Sequence, residues 1–431
     1  MKYAIVGVGG RHQMYRRAVT ETHPKGNQLV ALCDTNEKRL ALSVSETPPQ
    51  PGNGIATYDA AEFDRMIAEQ KPDTVIVTVP DYLHHEYIVR ALKAGCNVMT
   101  EKPMTTDLGK LKQVLDAQRA SGKKLTVTFN YRYTPARTQL KDILMKGTIG
   151  EIEAVDFTWY LDRVHGADYF RRWHRYKDKS GGLLVHKATH HFDLMNWLLA
   201  STPKTVAANG KRVFYTPETA AELGLQDHGD RCHTCPVFDK CDYRLDLEAD
   251  ESLREMYLET EDADGYYRDR CVFADDITIE DTMQVQATYA NNVFLNYTLC
   301  AYSPWEGLEI TFHGKKGELR HKHIEVHGVF GGRREKADAS NMTTTLHLAG
   351  GLPQEIDVWA GTGDHGGADP VMLGYLFEPD TMPPDLYGRA SSQREGAWSI
   401  LTGIAANKSI AGGGRVDVDA MLRDAGIVLE R

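Results

Sequence analysis

Lys2-Tyr3-Ala4-Ile5-Val6-Gly7-Val8-Gly9-Gly10-Arg11-His12 is the stretch of sequence that decides the fold of this chain. An apolar, strand-like run passes into a glycine turn, and a helical pattern follows. Gly7 suits the tight turn, and Gly9 lets the backbone approach a pyrophosphate. His12 replaces the third glycine of the G-x-G-x-x-G pattern, so the glycine run alone is a weak signal. Its place between strand and helix predicts a dinucleotide-binding domain.

The second strand ends in Asp34, 22 residues beyond His12. A carboxylate there accepts hydrogen bonds from both ribose hydroxyls of an adenosine and repels a 2′-phosphate, which favours NAD over NADP as the cofactor. Two plainer interpretations stay open. The glycine turn suits other doubly wound proteins, and Asp34 also suits a helix N-cap.

Short β-branched runs alternate with amphipathic helical patterns up to about residue 130, as in a parallel sheet. The predicted strands are Tyr3–Val8, Leu29–Cys33, Ile55–Tyr58, Thr74–Val79, Asn97–Thr100 and Leu125–Phe129. The predicted helices include Glu62–Gln70, Glu86–Ala94 and Leu108–Ser121. We expect a doubly wound Rossmann domain over residues 1–131.

The pattern changes after Tyr133, and strands of a largely antiparallel sheet follow. They are predicted at Glu151–Tyr160, Met283–Tyr289, Val293–Leu299 and Leu308–Phe312. The fold class is therefore α/β, with the Rossmann domain followed by an α+β domain over residues 132–431 that carries a large, mainly antiparallel open sheet. Residues 227–275 are rich in Asp, Tyr and Cys and weak in periodicity, so we expect an insertion that lies on that sheet.

Composition narrows the possible partners. The chain has 431 residues, 50 basic against 60 acidic, and a formal charge of -10. No basic run stands out, so we expect a small-molecule partner and no nucleic acid. The start of the chain lacks the pattern of a secretory signal and no segment is apolar enough for a bilayer, so we expect no membrane and a cytoplasmic location. We also expect a homo-oligomer, a dimer or a tetramer.

Three further motifs stand at the ends of predicted strands. They are Thr78-Val79-Pro80-Asp81 with His84-His85, then Gly95-Cys96-Asn97-Val98-Met99-Thr100-Glu101-Lys102-Pro103, and Asn130-Tyr131-Arg132-Tyr133. With the glycine turn, they resemble the Gfo/Idh/MocA family of oxidoreductases along nearly the whole chain. The Glu101-Lys102-Pro103 motif is the most specific of them. It lies at the carboxyl end of the fifth strand, where open α/β sheets bind ligands.

The resemblance implies that a Rossmann domain binds the cofactor, that an open sheet covers the nicotinamide, and that Lys102 reaches the reacting hydroxyl. The family's second catalytic pattern corresponds to Gly181-Gly182-Leu183-Leu184-Val185-His186-Lys187-Ala188-Thr189-His190-His191-Phe192-Asp193. His190 matches the family histidine. His186 stands where most members have Asp, and Lys187 is a further unusual cation.

The same segment has a chemical interpretation without the family. On one helix, His186 and His190 share a face, and Asp193 one turn further on would orient an imidazole for acid–base work. Two histidines at this spacing also suit zinc, although no Glu of the H-E-x-x-H kind lies between them. Surface histidines without a role are the third interpretation.

The expected reaction is hydride transfer between nicotinamide and a hydroxyl-bearing carbon of a sugar, polyol or glycoside. Lys102, partly desolvated beside the cationic nicotinamide, would act as base or donate to the alkoxide, and His190 is the alternative base. Two other functions stay open. One is a glycoside-cleaving enzyme that oxidises its substrate transiently with bound NAD, and the other is a non-catalytic dinucleotide sensor.

The candidate site residues fall into three groups. The catalytic candidates are Lys102, His190 and His186. The cofactor-binding candidates are Gly7, Gly9, Gly10, Arg11, His12, Asp34, Thr35, Pro80, His84, Glu101 and Lys102, and the substrate-binding candidates are Tyr131, Arg132, Lys187, His191 and His365. His365 belongs to a glycine-rich stretch, 363–369, that predicts a loop close to a ligand or a plain surface turn.

Four cysteines cluster in the expected insertion. Cys232, Cys235 and Cys241 form a C-x2-C-x5-C pattern, and Cys271 follows thirty residues later. In a reducing compartment such thiols hold metal more often than they form disulfides. We expect a structural four-cysteine zinc site, with an iron–sulfur cluster as the alternative.

Overall fold

The structure is a computed structural model, which describes residues 1–50, 54–330, 333–337, 341–361 and 364–431. The chain divides into two compact units. The first comprises residues 1–129, 246–268 and 370–397, and the second comprises residues 130–245, 269–369 and 398–431. Residues 246–268, which the sequence analysis assigned to the insertion on the second sheet, belong to the first unit. None of the helices in the described residues is both long and apolar enough to cross a membrane.

The first unit contains a sheet of six parallel strands, in the order β3-β2-β1-β4-β5-β6. Its central strands are apolar on both faces because helices cover both. The strand order reverses between β1 and β4, which is where such sheets bind their ligands. The strands are β1 Lys2–Val6, β2 Gln28–Asp34, β3 Ala56–Asp59, β4 Thr74–Val77, β5 Asn97–Thr100 and β6 Leu125–Val127.

The helices between these strands begin at side-chain caps where the sequence provides them. Asn36 accepts a hydrogen bond from the Arg39 amide, and Asp107 accepts one from the Lys110 amide, so each satisfies a free N–H of the first turn. The helices are α1 His12–Arg17, α2 Glu37–Ser45, α3 Phe63–Gln70, α4 Asp81–Lys93 and α5 Leu108–Ser121. A π-helical turn, Ala18–Thr22, continues α1.

The second unit is built on a sheet in the order β15-β14-β12-β11-β7-β10-β9-β8-β16, with β13 paired to β12. Only the β7–β10 pairing among these is parallel. The strands are β7 Ile152–Asp162, β8 Pro203–Lys211, β9 Thr282–Tyr289, β10 Phe294–Ser303, β11 Glu306–Gly314, β12 Gly317–Phe330, β13 Arg333–Lys336, β14 Met342–Leu348, β15 Gln354–Ile356 and β16 Val416–Asp417. The predicted α/β fold class, with a mainly antiparallel second sheet, is confirmed.

The remaining helices complete both units. They are α6 Pro135–Met145, α7 Arg163–Arg171, α8 Lys177–Ser180, α9 Leu183–His186, α10 Thr189–Leu199, α11 Pro217–Glu222, α12 Glu251–Leu253, α13 Glu261–Asp264, α14 Asp364–Phe377, α15 Gln393–Gly412 and α16 Val418–Asp424. The stretch predicted as a loop at 363–369 is helical from Asp364 onward. Gly363 lies outside the described residues, as does the side chain of His365. Asp369, in that helix, is buried and accepts a hydrogen bond from Asn130 Nδ2 at 2.7 Å.

Candidate active site

The glycine turn after β1 has the geometry that a dinucleotide needs. Gly7 has a φ of +90°, and a Cβ there would lie 2.6 Å from the Val79 amide nitrogen, so only glycine fits. A Cβ on Gly9 would meet nothing within 4 Å. The backbone at Gly9 is therefore open to a ligand, while Gly7 is held against the end of β4.

Asp34 at the end of β2 ties the glycine turn to the neighbouring strand. Its Oδ2 accepts from the Val8 amide at 2.6 Å, and its Oδ1 accepts from the Asn36 amide at 2.9 Å. The carboxylate is fixed by backbone donors and retains lone pairs for a ribose. The adjacent candidate Thr35 is exposed.

His12 explains the missing third glycine. Its ring is buried, with Nδ1 2.6 Å from the Gly9 carbonyl oxygen and Nε2 2.8 Å from the Ser43 hydroxyl. Burial lowers the pKa of His12 to about 4, so the ring is neutral near pH 7 and donates to Gly9 while accepting from Ser43. The side chain braces the turn from within the unit, and it is not available to a cofactor.

Glu101 and Lys102 lie at the carboxyl end of β5, between β4 and the edge strand β6. Arg11 Nε donates to Glu101 Oε1 at 2.6 Å, and the Tyr15 hydroxyl donates to the same oxygen at 2.7 Å. Burial alone would raise the pKa of Glu101, but Arg11 and Tyr15 outweigh it and lower the pKa. Glu101 is thus an anchored carboxylate, and Lys102 beside it is half-buried.

His84 links the ends of β4 and β5. Its ring is buried between two carbonyl oxygens, that of Pro103 at 2.7 Å and that of Val79 at 2.8 Å. Burial lowers the pKa of His84. The side chain supports the loop that carries Lys102, and the candidate Pro80 is the N-cap residue of α4.

The second catalytic pattern is not one continuous helix. Helix α9 ends at His186, and α10 begins at Thr189, so the spacing of His186 and His190 does not place them on one helix face. The prediction that one helix carries both histidines is wrong, because a turn at Lys187 and Ala188 separates α9 from α10. The ring of His186 instead meets that of His174 edge to face, with centroids 4.1 Å apart.

Asp193 binds an arginine that the sequence did not predict as its partner. Its carboxylate binds the Arg132 guanidinium with two hydrogen bonds, from Nε at 2.7 Å and from Nη2 at 2.5 Å. The two side chains are only 3% and 1% exposed. Arg132 is therefore paired inside the unit, and its predicted role in substrate binding stays a prediction.

His190 and Lys187 meet around Tyr131. The Tyr131 and His190 rings stack with centroids 4.4 Å apart, and Lys187 Nζ lies 5.9 Å from the Tyr131 centroid and 4.9 Å from that of Trp159. Burial lowers the pKa of Lys187, although Glu306 and Glu325 oppose that shift. His191 stacks on Trp159, lies with its ring centroid 6.1 Å from that of Tyr131, and is hydrogen-bonded to the Tyr297 hydroxyl at 2.7 Å.

A buried charge network, which the sequence did not predict, lies at the start of β11. Glu306 is bonded to His165 Nδ1 at 2.7 Å and accepts from Arg334 Nη2 at 3.0 Å. Burial would raise the pKa of Glu306, but His165, Lys187 and Arg334 lower it. Arg334 also donates to Asp162 at 2.6 Å. No sequence motif marks this network, because its members are far apart in the chain.

The four predicted thiols line one pocket of the second unit. Each accepts a backbone N–H, Cys235 from Gly229, Cys232 from Leu245, Cys271 from Phe273 and Cys241 from Tyr243. None of the four forms a disulfide bond. Burial raises the pKa of the Cys271 thiol to about 11. No group of three or more His, Cys, Asp or Glu among the described residues is arranged to hold a metal ion, so the zinc site stays a prediction.

An open backbone at Gly9, a fixed carboxylate at the end of β2 and a lysine at the end of β5 fit a dinucleotide, and they define the class of Rossmann-type oxidoreductases. Residues 1–129 match the NAD-binding Rossmann domain of the Gfo/Idh/MocA oxidoreductase family, and residues 141–373 match its C-terminal alpha/beta domain. The chain belongs to this family.

Curated relatives cover different shares of the chain. The oxidoreductase YteT of Bacillus subtilis is 34% identical over 405 residues, which are 92% of this chain and 93% of the relative. The D-glucoside 3-dehydrogenase of Escherichia coli is 27% identical over 53% of this chain and 62% of its own. Inositol 2-dehydrogenase of Salmonella typhimurium is also 27% identical, over 53% of this chain and 61% of its own.

Solved structures share the fold across nearly the whole chain. The WlbA dehydrogenase of Bordetella pertussis, in complex with NADH and UDP-GlcNAcA, has a TM-score of 0.63 at 19% identity and covers 97% of this chain and 98% of its own. The aldose-aldose oxidoreductase of Caulobacter crescentus has a TM-score of 0.64 at 17% identity, and the match covers 97% of this chain and 99% of that protein's chain. At these identities the likeness concerns the fold alone.

Proposed function

We propose that the protein transfers a hydride between NAD and a hydroxyl-bearing carbon of a sugar, polyol or glycoside. The observation that carries this is Lys102, half-buried beside the anchored carboxylate of Glu101 at the carboxyl end of β5. The names of the D-glucoside and inositol dehydrogenases among the relatives support the substrate class. A small-molecule site, a homo-oligomer and a cytoplasmic location stay predictions.

Bound nicotinamide would supply the hydride acceptor, and the chain would handle the proton. Lys102 would take the hydroxyl proton or donate to the developing alkoxide. His190, fixed in orientation by its stacking on Tyr131, is the second candidate for proton transfer. Lys187 adds a buried amine, whose lowered pKa suits it to releasing a proton to a developing alkoxide.

This function is tested by incubating the purified protein and NAD with each member of a panel of sugars, inositols and glucosides. The absorbance of NADH is followed over time. Net NADH formation with a member of the panel supports a dehydrogenase. Release of an aglycone from a chromogenic glycoside without net NADH favours the glycoside-cleaving alternative. Binding of NAD with neither reaction favours a dinucleotide sensor.

Cofactor preference follows from Asp34. Its carboxylate hydrogen-bonds a ribose diol and repels a phosphate in the same place, so we expect NAD to bind at least about tenfold more tightly than NADP. Titrating the wild-type protein with each dinucleotide by calorimetry measures this directly. Tighter binding of NADP would show that the end of β2 does not meet the ribose.

We also propose that the thiol pocket binds a structural zinc ion. The four sulfurs converge on one pocket, where Arg171 Nη1 lies 3.8 Å from Cys232 Sγ, and the charge of a bound metal ion would stabilise them as thiolates. Binding would draw the sulfurs to about 2.3 Å from the ion. We expect about one equivalent of zinc by elemental analysis of protein purified without chelators. Less than about a tenth of an equivalent of zinc or iron, with four freely titratable thiols, would contradict this.

A further inference from the structure

Residues 246–268, which we call the acidic segment, join the first unit although they follow β8 in the chain. The segment carries nine acidic residues and two basic ones. It is anchored at Thr260, which is buried and whose carbonyl accepts from Asn36 Nδ2 at 2.9 Å. Asn36 also caps α2, so the segment is attached directly after Asp34, at the edge where a cofactor ribose belongs.

The segment also reaches the glycine turn. The Tyr257 hydroxyl accepts a hydrogen bond from the Gly10 amide at 3.1 Å. A Cβ on Gly10 would lie 3.2 Å from that hydroxyl. Tyr257 thus occupies a backbone donor of the turn that suits a diphosphate oxygen, and its own O–H can donate to such an oxygen.

Two ion pairs join the segment to α2. Asp264 binds Arg39 Nη2, and these side chains are 14% and 9% exposed. Arg39 Nη2 also lies 3.8 Å from Asp34 Oδ1, and its buried Nε has no hydrogen-bond partner among the described residues. The second pair, Lys38 with Asp262 at 2.7 Å, is much more exposed.

We propose that Asp264 is a determinant of cofactor specificity because it neutralises Arg39, the buried cation next to Asp34. An arginine near this strand end accommodates the 2′-phosphate of NADP. While Asp264 holds Arg39, the charge is compensated and the guanidinium is occupied, so the 2′-phosphate meets only the Asp34 carboxylate. Tyr257, on the same segment, would contact the diphosphate of either dinucleotide. This inference rests on the proposed function, since it assumes that a dinucleotide binds here.

The test is the affinity of Asp264→Asn for NAD and for NADP, measured by calorimetric titration. We expect the Kd for NADP to fall at least about tenfold, which corresponds to about 1.4 kcal/mol, while the Kd for NAD changes less than about threefold. Asp262→Asn is the matched control, because it removes the same charge from the same segment but from an exposed pair. Its NADP affinity should stay near that of the wild type.

A double variant distinguishes specificity from a general loosening of the segment. Adding Arg39→Gln to Asp264→Asn should abolish the gain in NADP affinity, since the gain depends on the released guanidinium. Should Asp264→Asn fail to fold, Asp264→Glu keeps the charge and must keep the wild-type preference. If folded Asp264→Asn still binds NAD but its Kd for NADP is unchanged, the inference on Asp264 is overturned and the proposed function is not. A wild-type protein that binds neither dinucleotide overturns the proposed function with it.

Discussion

Replacing Lys102 with alanine is expected to lower kcat/KM by about 10²- to 10⁴-fold while NAD binding and the fold are retained. The variant loses the group that handles the hydroxyl proton, but it leaves the Glu101 anchor and the glycine turn intact. Steady-state rates with the best substrate of the panel measure the loss, and calorimetric titration with NAD checks the cofactor site.

Lys93→Ala is the control for this variant, because Lys93 is an exposed lysine at the end of α4 in the same unit. It should keep the wild-type rate. A Lys102→Ala enzyme that retains more than about a third of the wild-type kcat/KM would remove Lys102 from the centre of the mechanism.

The second large effect concerns stability. Asp193→Ala leaves the Arg132 guanidinium buried without its carboxylate, and breaking a buried pair in this way costs about 3–5 kcal/mol. We expect this loss in the free energy of unfolding, measured by denaturant titration. Replacing both side chains by apolar ones should recover much of it, because no buried charge is then left over.

Asp116→Ala is the control for the stability prediction, since it breaks a pair with Lys112 in which both side chains are nearly half exposed. Such pairs contribute little. If Asp193→Ala were no more destabilising than Asp116→Ala, the Arg132–Asp193 pair would have no role in stability.

Local sequence predicted the parallel sheet of the first unit and the helices between its strands well. The strand Asn97–Thr100 and the helix Leu108–Ser121 were predicted with the bounds that the structure has. Both are set by neighbours in the chain, namely an apolar run of strand length and a helix between the Asp107 cap and Gly122 in the left-handed conformation.

Predictions that needed distant partners were less successful. The spacing of His186, His190 and Asp193 predicted one helix, but a turn after His186 separates two helices. Asp193 binds Arg132, which lies sixty-one residues away in the sequence. Likewise, Glu306 gains its role from His165 and Arg334, which no short motif connects to it. Local patterns contain no information on which buried charge finds which partner.

The acidic segment is another part of the chain whose packing partners the sequence did not predict. Its weak periodicity indicated an insertion, and from the sequence we expected this insertion to pack on the sheet of the second domain. The contacts of Thr260 with Asn36 and of Asp264 with Arg39 join it to the Rossmann domain instead. Each contact spans more than 200 residues of chain.

The most direct test of hydride transfer uses fully deuterated glucosides and inositols with unlabelled NAD. After a single turnover the nicotinamide is analysed by mass spectrometry. We predict that one deuterium passes to the nicotinamide with a substrate of the panel, and that Lys102→Ala slows this transfer. Net oxidation leaves the label on the nicotinamide, whereas glycoside cleavage through transient oxidation returns the deuteride to the sugar and leaves the nicotinamide unlabelled at the end of the turnover. An oxidised product with the nicotinamide left unlabelled would contradict the account.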